Sequence, residues 1–238
     1  MNRSSAGKWA RRAVWGALVA VAGIGCNPLN VIGFMFARDE KVPAPHPLAF
    51  AKDGPKKDKE EVVVVVLTQA AHGGNPQFAT VDRDLAGKIA KQLPEQAKEN
   101  NKDKKLKMRV ISPTQVDKFK MSNPRWKDMS RGEIGQKLGA DYVIEIYLEK
   151  MRLFQPNTQN AIYEGRAEVS VSIYEVGAEG GDFKDRYEMP FAYPKTGVRD
   201  AAAIPESEFK KLFLENLTSE IIRHHVDSRP SSGIADGQ

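Results

Sequence analysis

The sequence predicts an α/β fold of the α+β kind, a single mixed β-sheet with element order β-α-β-α-β-β-β-α and helices packed on it. Three observations predict it. Val62 to Leu67 is an unbroken apolar run, mostly β-branched, of the kind that suits a strand buried on both faces. Two neighbouring segments, Tyr142 to Glu149 and Tyr163 to Ile173, alternate apolar and polar residues with the period of a half-buried strand. Near the end, Phe209, Phe213, Leu217 and Ile221 recur at four-residue spacing on one helical stripe.

In chain order, the run from Val62 is the central strand. A helix follows, with Asp82 or Asp84 as its cap, Leu85, Ile89 and Leu93 on its inner face, and Pro94 kinking or ending it. Met108 to Ile111 is a short second strand. Ser130 and Glu133 form an S-x-x-E capping box, which opens a helix with Ile134 and Leu138 facing inward and Gly139 as the left-handed residue that stops it. The two alternating strands then pair as an antiparallel hairpin across the polar Gln155 to Asn160 loop. Gly177, Gly180 and Gly181 mark a turn into a strand from Arg186 to Tyr193, and Pro190 assigns that strand to an edge. The closing helix starts at about Glu206.

The segment before this domain carries targeting information. A basic region with Arg3, Lys8, Arg11 and Arg12 precedes an uncharged apolar run from Ala13 to Gly25, and small residues stand at Gly23 and Gly25 before Cys26. That order is the order of a signal peptide. The run is shorter than the roughly 20 residues that a spanning helix needs. Cys26 is the single cysteine of the chain, so no internal disulfide holds the fold. The expected organisation is a signal peptide over 1–26, a Pro- and Lys-rich tether over 27–60 with Pro43, Pro45, Pro47 and Pro55, one globular domain over 61–226, and a disordered tail over 227–238.

Charge narrows the partners. The formal net charge of the 238-residue chain is +5, but the four basic residues before Cys26 have no acidic neighbour there. With those four set aside, 32 basic residues stand against 31 acidic ones, a net of +1. A near-neutral mature protein has little to draw it onto phosphate backbones, so nucleic acid is set aside as a partner.

The apolar run ending at Cys26 resembles the lipobox of bacterial lipoproteins, although Gly23 stands where that motif usually has Leu. The resemblance implies lipidation of Cys26, attachment to a membrane through that anchor, and residence on the periplasmic side of the envelope. Asn27 rather than Asp after the cysteine points to the outer membrane by the rule of that family. Ordinary cleavage and an uncleaved anchor using Val14 to Phe36 are the alternatives. Further on, Glu133-Ile134-Gly135-Gln136-Lys137-Leu138-Gly139-Ala140-Asp141-Tyr142-Val143-Ile144 and the two long strands after it are similar to the TolB amino-terminal domain and to CsgG-like envelope lipoproteins. That resemblance implies a non-catalytic binding or assembly module that holds other envelope proteins. A subunit of a CsgG-like secretion pore, and with it a homo-oligomer, is the alternative it offers.

No catalytic, metal or cofactor site is expected. His72-Gly73-Gly74 resembles an oxyanion-hole loop of some hydrolases, but the chain has no Gly-x-Ser-x-Gly elbow to go with it. His46, His72 and the adjacent pair His224 and His225 lack ligand spacing, and adjacent helical residues point about 100° apart. A structural or solvated role suits that pair. For partner contact the candidates are Trp126 with Arg125 in a polar loop, for which burial in the core is the competing reading, and the edge strand containing Phe191 and Tyr193, whose unpaired backbone groups suit a partner's strand, with protection by Pro190 and Pro194 as the competing reading. Replacing Cys26 with Ser is expected to abolish palmitate labelling and release or mis-sort the protein. Unchanged membrane attachment of that variant would indicate the uncleaved anchor.

Overall fold

The computed structural model describes residues 42–48, 61–71, 78–100, 107–177 and 180–228. The signal segment with Cys26, the His72-Gly73-Gly74 loop, and residues 27–41, 49–60 and 229–238 lie outside the described residues. Lys41–Gln238 forms one compact unit.

One mixed sheet organises the described chain. Its strands are β1 (Glu61–Ala70), β2 (Lys107–Val110), β3 (Tyr142–Phe154), β4 (Ile162–Gly177), β5 (Gly180–Tyr193) and β6 (Arg199–Asp200). The spatial order is β2-β1-β3-β4-β5, with β6 pairing β4. β1 runs parallel to both β2 and β3, whereas β3, β4 and β5 are antiparallel. Four helices pack on the sheet: α1 (Val81–Asn100), α2 (Pro113–Ser122), α3 (Arg131–Leu138) and α4 (Glu206–His225).

The unbroken apolar run of β1 is explained by burial on both faces. Val62, Val64 and Val66 join the larger core beneath α1 and α4, while Val63, Val65 and Leu67 join a smaller one beneath α2 and α3. The alternating strands supply the rest of the large core. Tyr142, Ile144, Ile146 and Leu148 of β3 and Tyr163, Ala167, Val169, Val171 and Ile173 of β4 face the same helices. The stripe Phe209, Phe213, Leu217 and Ile221 of α4 covers them, each at most 1% exposed.

The Leu138 to Tyr142 segment has a physical account at each position. Gly139 closes α3 at φ 68°, in the left-handed region that favours glycine. The Ser130 hydroxyl accepts from the Glu133 backbone N–H at the other end of the helix. Asp141 is 7% exposed and acts as a clamp between strands: its Oδ2 accepts from Val63 N–H at 2.9 Å and its own N–H donates to Val63 C=O at 2.7 Å. Helix α3 also lies unusually close to the sheet. A Cβ at Gly135 would stand 2.3 Å from Val176 Cγ2, and one at Gly181 would stand 2.3 Å from the backbone of Gly132.

Several elements differ from the sequence reading. Helix α1 runs through Pro94 to Asn100, because Leu93 and Ala97 on either side of the proline are both buried against the sheet. That packing outweighs the roughly 3 kcal/mol an interior proline costs. Its first residue is Val81, so Thr80 holds the cap position and Asp82 and Asp84 fall in the first turn. Helix α2 was not anticipated; Ser112 caps it and Pro113 occupies its first turn, but Val116 is its only buried residue, too little periodicity to show in the sequence. β5 begins at Gly180 rather than Arg186 and forms an edge of the sheet. Within the span read as tether, Val42 to Leu48 lies on the folded unit, with Leu48 2% exposed in the large core.

Asp141→Ala strands the Val63 N–H in a buried position. It is expected to lower unfolding stability by about 1–3 kcal/mol, read as a reduced urea midpoint with an unchanged m-value.

Candidate functional site

Two features stand out as places where side chains of mixed chemistry converge. The first is a histidine and tyrosine cluster at the end of α4. Tyr187 of β5 stacks against two imidazoles, with ring centroids 4.3 Å from His46 and 4.5 Å from His224, which are themselves 5.8 Å apart. His225, 1% exposed, places Nδ1 at 3.1 Å from the His46 carbonyl and Nε2 at 3.1 Å from the Tyr187 hydroxyl. A carbonyl only accepts, so Nδ1 carries the proton, Nε2 accepts, and Tyr187 donates. Beside it, His46 Nδ1 donates to Asp185 Oδ2 at 2.5 Å.

Backbone pairing completes the attachment. His46 N–H donates to His224 C=O at 2.8 Å, Val42 and Ser228 exchange bonds of 2.8 and 3.0 Å, and Ala44 N–H donates to Asp227 Oδ1 at 3.1 Å. The cluster therefore straps residues 42–48 to the C-terminal end of the domain. Proline suits such a strap, since it holds the backbone extended without asking for a donor's partner. His46, His224 and His225, which lack ligand spacing in the sequence, are brought together here by a pairing of distant segments that no local spacing signals. Among the described residues, no three His, Cys, Asp or Glu side chains are arranged to hold a metal ion.

The second feature is the face of the sheet opposite α1 and α4. Helices α2 and α3 cover it only over β1, the start of β3, the end of β4 and the start of β5. Beyond them no described element covers it. The rows there are polar: Gln69, Tyr147, Ser170 and Glu188 lie side by side in register, with Ser170 itself buried, and Lys150, Glu168 and Pro190 form another row. Tyr147 is 41% exposed in the middle of this surface. Ion pairs lace it, with Arg131 to Glu145 at 2.6 Å, Lys150 to Glu168 at 2.9 Å and Arg152 to Glu164 at 3.0 Å. Hydrogen bonding from Arg166, with Arg152 adding its charge, holds the Glu164 carboxyl below the usual carboxylate range. A break in register between Leu148 and Lys150 marks a bulge in β3 at this place.

The candidate contact residues fall on different sides of this surface. Trp126 is 9% exposed, sits in the smaller core, and has Lys120 Nζ 4.7 Å above its ring, so its apolar area is already spent on packing. Phe191 and Tyr193 point into the large core at 6% and 9% exposure, because their places on β5 alternate toward α4. These three side chains are buried, while the strand that carries Phe191 and Tyr193 stands at an edge of the sheet. Arg125 is open, its side chain 90% exposed and 3.4 Å from Asp128. Tyr147 and Arg152 were not singled out from sequence; both are on strand positions whose outward direction is legible, but Arg152 follows the bulge, which shifts its phase.

No protein-family model matches the chain, and no curated protein matches its sequence. Several solved structures are similar. A PelC dodecamer from Paraburkholderia phytofirmans aligns at 10% identity over 79% of this chain and 97% of the other, with a TM-score of 0.39. Lipoprotein GNA1162 from Neisseria meningitidis aligns at 12% identity over 68% and 97%, TM-score 0.38. A minor lipoprotein from Acinetobacter baumannii aligns at 10% over 68% and 89%, TM-score 0.30. Likenesses this distant say nothing about what the chain binds.

Burial pushes the His225 imidazole from 6.5 down to about 4, and burial lowers His224 in the same direction. The unfolded chain takes up a proton near pH 6.5 that folded His225 accepts only near pH 4. Stability is therefore full above about pH 6.5 and falls as pH drops toward 4, by roughly 3 kcal/mol from His225 alone. Urea unfolding at pH 7.5 and 4.5 checks the loss, and His225→Gln is expected to flatten it by more than half.

Proposed function

We propose that the chain is a non-catalytic binding or assembly module of the bacterial envelope, tethered on the periplasmic side of a membrane through Cys26 and holding a protein partner on its uncovered sheet face. The observation that carries this reading is the asymmetry of the sheet. One face is sealed by α1 and α4, while the β3-β4-β5 part of the other presents Tyr147 among charged rows. An exposed aromatic within a polar, ion-paired surface is the composition of an interface that forms and remains soluble apart.

Binding rather than catalysis is supported by the fate of the most reactive side chains. His46, His224, His225 and Tyr187 are consumed in mutual stacking and in strapping the chain, and two of the three imidazoles are held away from protonation by burial. No helix among the described residues is long and apolar enough to cross a membrane, which leaves attachment to the segment around Cys26 in this reading. The pore-subunit alternative gains no support from the long hairpin, since its open face bears Lys150–Glu168 and Arg152–Glu164 ion pairs where a barrel strand facing lipid carries apolar residues.

A photo-crosslinking amino acid placed at Tyr147 in intact cells tests the reading, with Met121, 80% exposed on α2, as the control position. A reproducible envelope protein captured from position 147 and not from 121 is expected. Capture of the chain by itself alone would favour a ring of identical subunits, and capture of nothing would overturn the binding reading.

A further inference from the structure

Two arginines face each other across β3 and β4, since the register sets Arg152 opposite Arg166. Like charges directly opposite on a sheet face destabilise it. Glu164, its side chain 17% exposed, sits between them: Oε1 accepts from Arg166 Nε at 2.9 Å and from its Nη2, and Oε2 accepts from Arg152 Nη2 at 3.0 Å. Both carboxylate oxygens are thus engaged, and Arg152 Nη1 is left buried without an acceptor. One row along the sheet Lys150 pairs with Glu168. Glu149, in the bulge beside Lys150, also acts on it, so three cations stand among three carboxylates on this stretch.

Lys150, Arg152, Arg166, Glu168 and Pro190 line a groove of about 340 Å³. Its floor is the backbone of Met151, Ala167 and Phe191, whose side chains alternate to the opposite face and pack on the large core. Such a floor is rigid, as the strands on both sides are hydrogen-bonded and buried beneath. A donor with no partner, in a rigid groove lined by Lys150, Arg152 and Arg166 against the single carboxylate of Glu168, fits a ligand that brings one negative charge and two acceptor oxygens.

We propose that this groove is an oxyanion subsite that receives the carboxylate of an Asp or Glu from a partner protein segment lying across the open face. The inference rests on that face being the docking surface. A carboxylate is favoured over a phosphate by the local charge, because the neighbouring Glu149, Glu164 and Glu168 repel a dianion more strongly than a monoanion. Arg152 supplies the free nitrogen, Arg166 the second charge, and Lys150 stands at the mouth with its side chain 77% exposed.

The test titrates the full-length chain in detergent, with arginine side chains labelled with nitrogen-15, against an acetylated and amidated tri-glutamate peptide, and separately against inorganic phosphate at equal ionic strength. The peptide is expected to shift the Arg152 and Arg166 Nε–H signals, and Arg152→Gln to weaken its binding by at least about 10-fold. Arg152→Lys keeps the charge but loses the fork, and is expected to stay at least about 3-fold weaker. Both variants leave Glu164 paired with Arg166, and an unchanged melting midpoint confirms their fold. Lys211→Gln, which removes one charge from the exposed side of α4, is expected to change binding by less than about 2-fold. Unshifted arginine signals, equal weakening by Lys211→Gln, or phosphate binding as tight as the peptide would each overturn the assignment. Failure of the Tyr147 crosslink with success here would remove the docking surface and leave the subsite, and the reverse result would remove the subsite alone.

Discussion

The burial of β1 on both faces is the constraint from which the rest of the architecture follows. A strand with Val62, Val64 and Val66 directed to one side and Val63, Val65 and Leu67 to the other needs a cover on each. Parallel neighbours on both edges require crossovers, and these supply the covers: α1 links β1 to β2 on one face, and α2 with α3 links β2 to β3 on the other. The Asp141 clamp then fixes where β3 begins relative to β1. A carboxylate that accepts the Val63 N–H, next to a backbone that donates to the Val63 carbonyl, holds the register of the two strands at the point where the chain arrives from α3.

The antiparallel half answers to a different requirement. Beyond the part under α3, the strands from the middle of β3 onward are covered on one face only, so their sequences alternate, and the outward residues are free to be polar. The domain is in this way three layers thick around β1 and two layers thick around β4 and β5. The open surface is a by-product of that change in thickness, because the short helix α3 ends before the sheet does. Its charged rows keep it soluble, and Tyr147 with the Arg152–Arg166 pair gives it chemical character.

Sequence periodicity read the sheet well where one physical rule dominated. Continuous β-branched residues announced β1, strict alternation announced the β3–β4 hairpin, and the four-residue stripe announced α4. It read poorly where two rules competed. Pro94 carries a strong local signal against helix, yet the burial of Leu93 and Ala97 carries α1 past it. Helix α2 has a cap and a proline in the right places but one buried residue, so its amphipathic pattern is nearly silent. The edge-strand aromatics Phe191 and Tyr193 were legible as strand residues, but which way they pointed depended on the register with β4. The candidate surface was partly legible, since Glu164, Arg166 and Glu168 alternate outward, whereas Arg152 lies beyond a bulge that resets the alternation of β3. The histidine cluster was not legible, because His46 and His225 meet only through the fold.

The strap also decides how the domain bears force. Tension on the chain ahead of Val42 does not act on β1 directly; it meets the Val42–Ser228 pair, then the Ala44 bond to Asp227, then His46, and last the buried side chain of Leu48. These attachments are loaded one after another, as in peeling a tape, while the long ladders of β3, β4 and β5 would have to shear many bonds at once. The strap is the mechanical weak point. A pull on the chain ahead of Val42 thus meets residues 42–48 before it meets the sheet and its open surface.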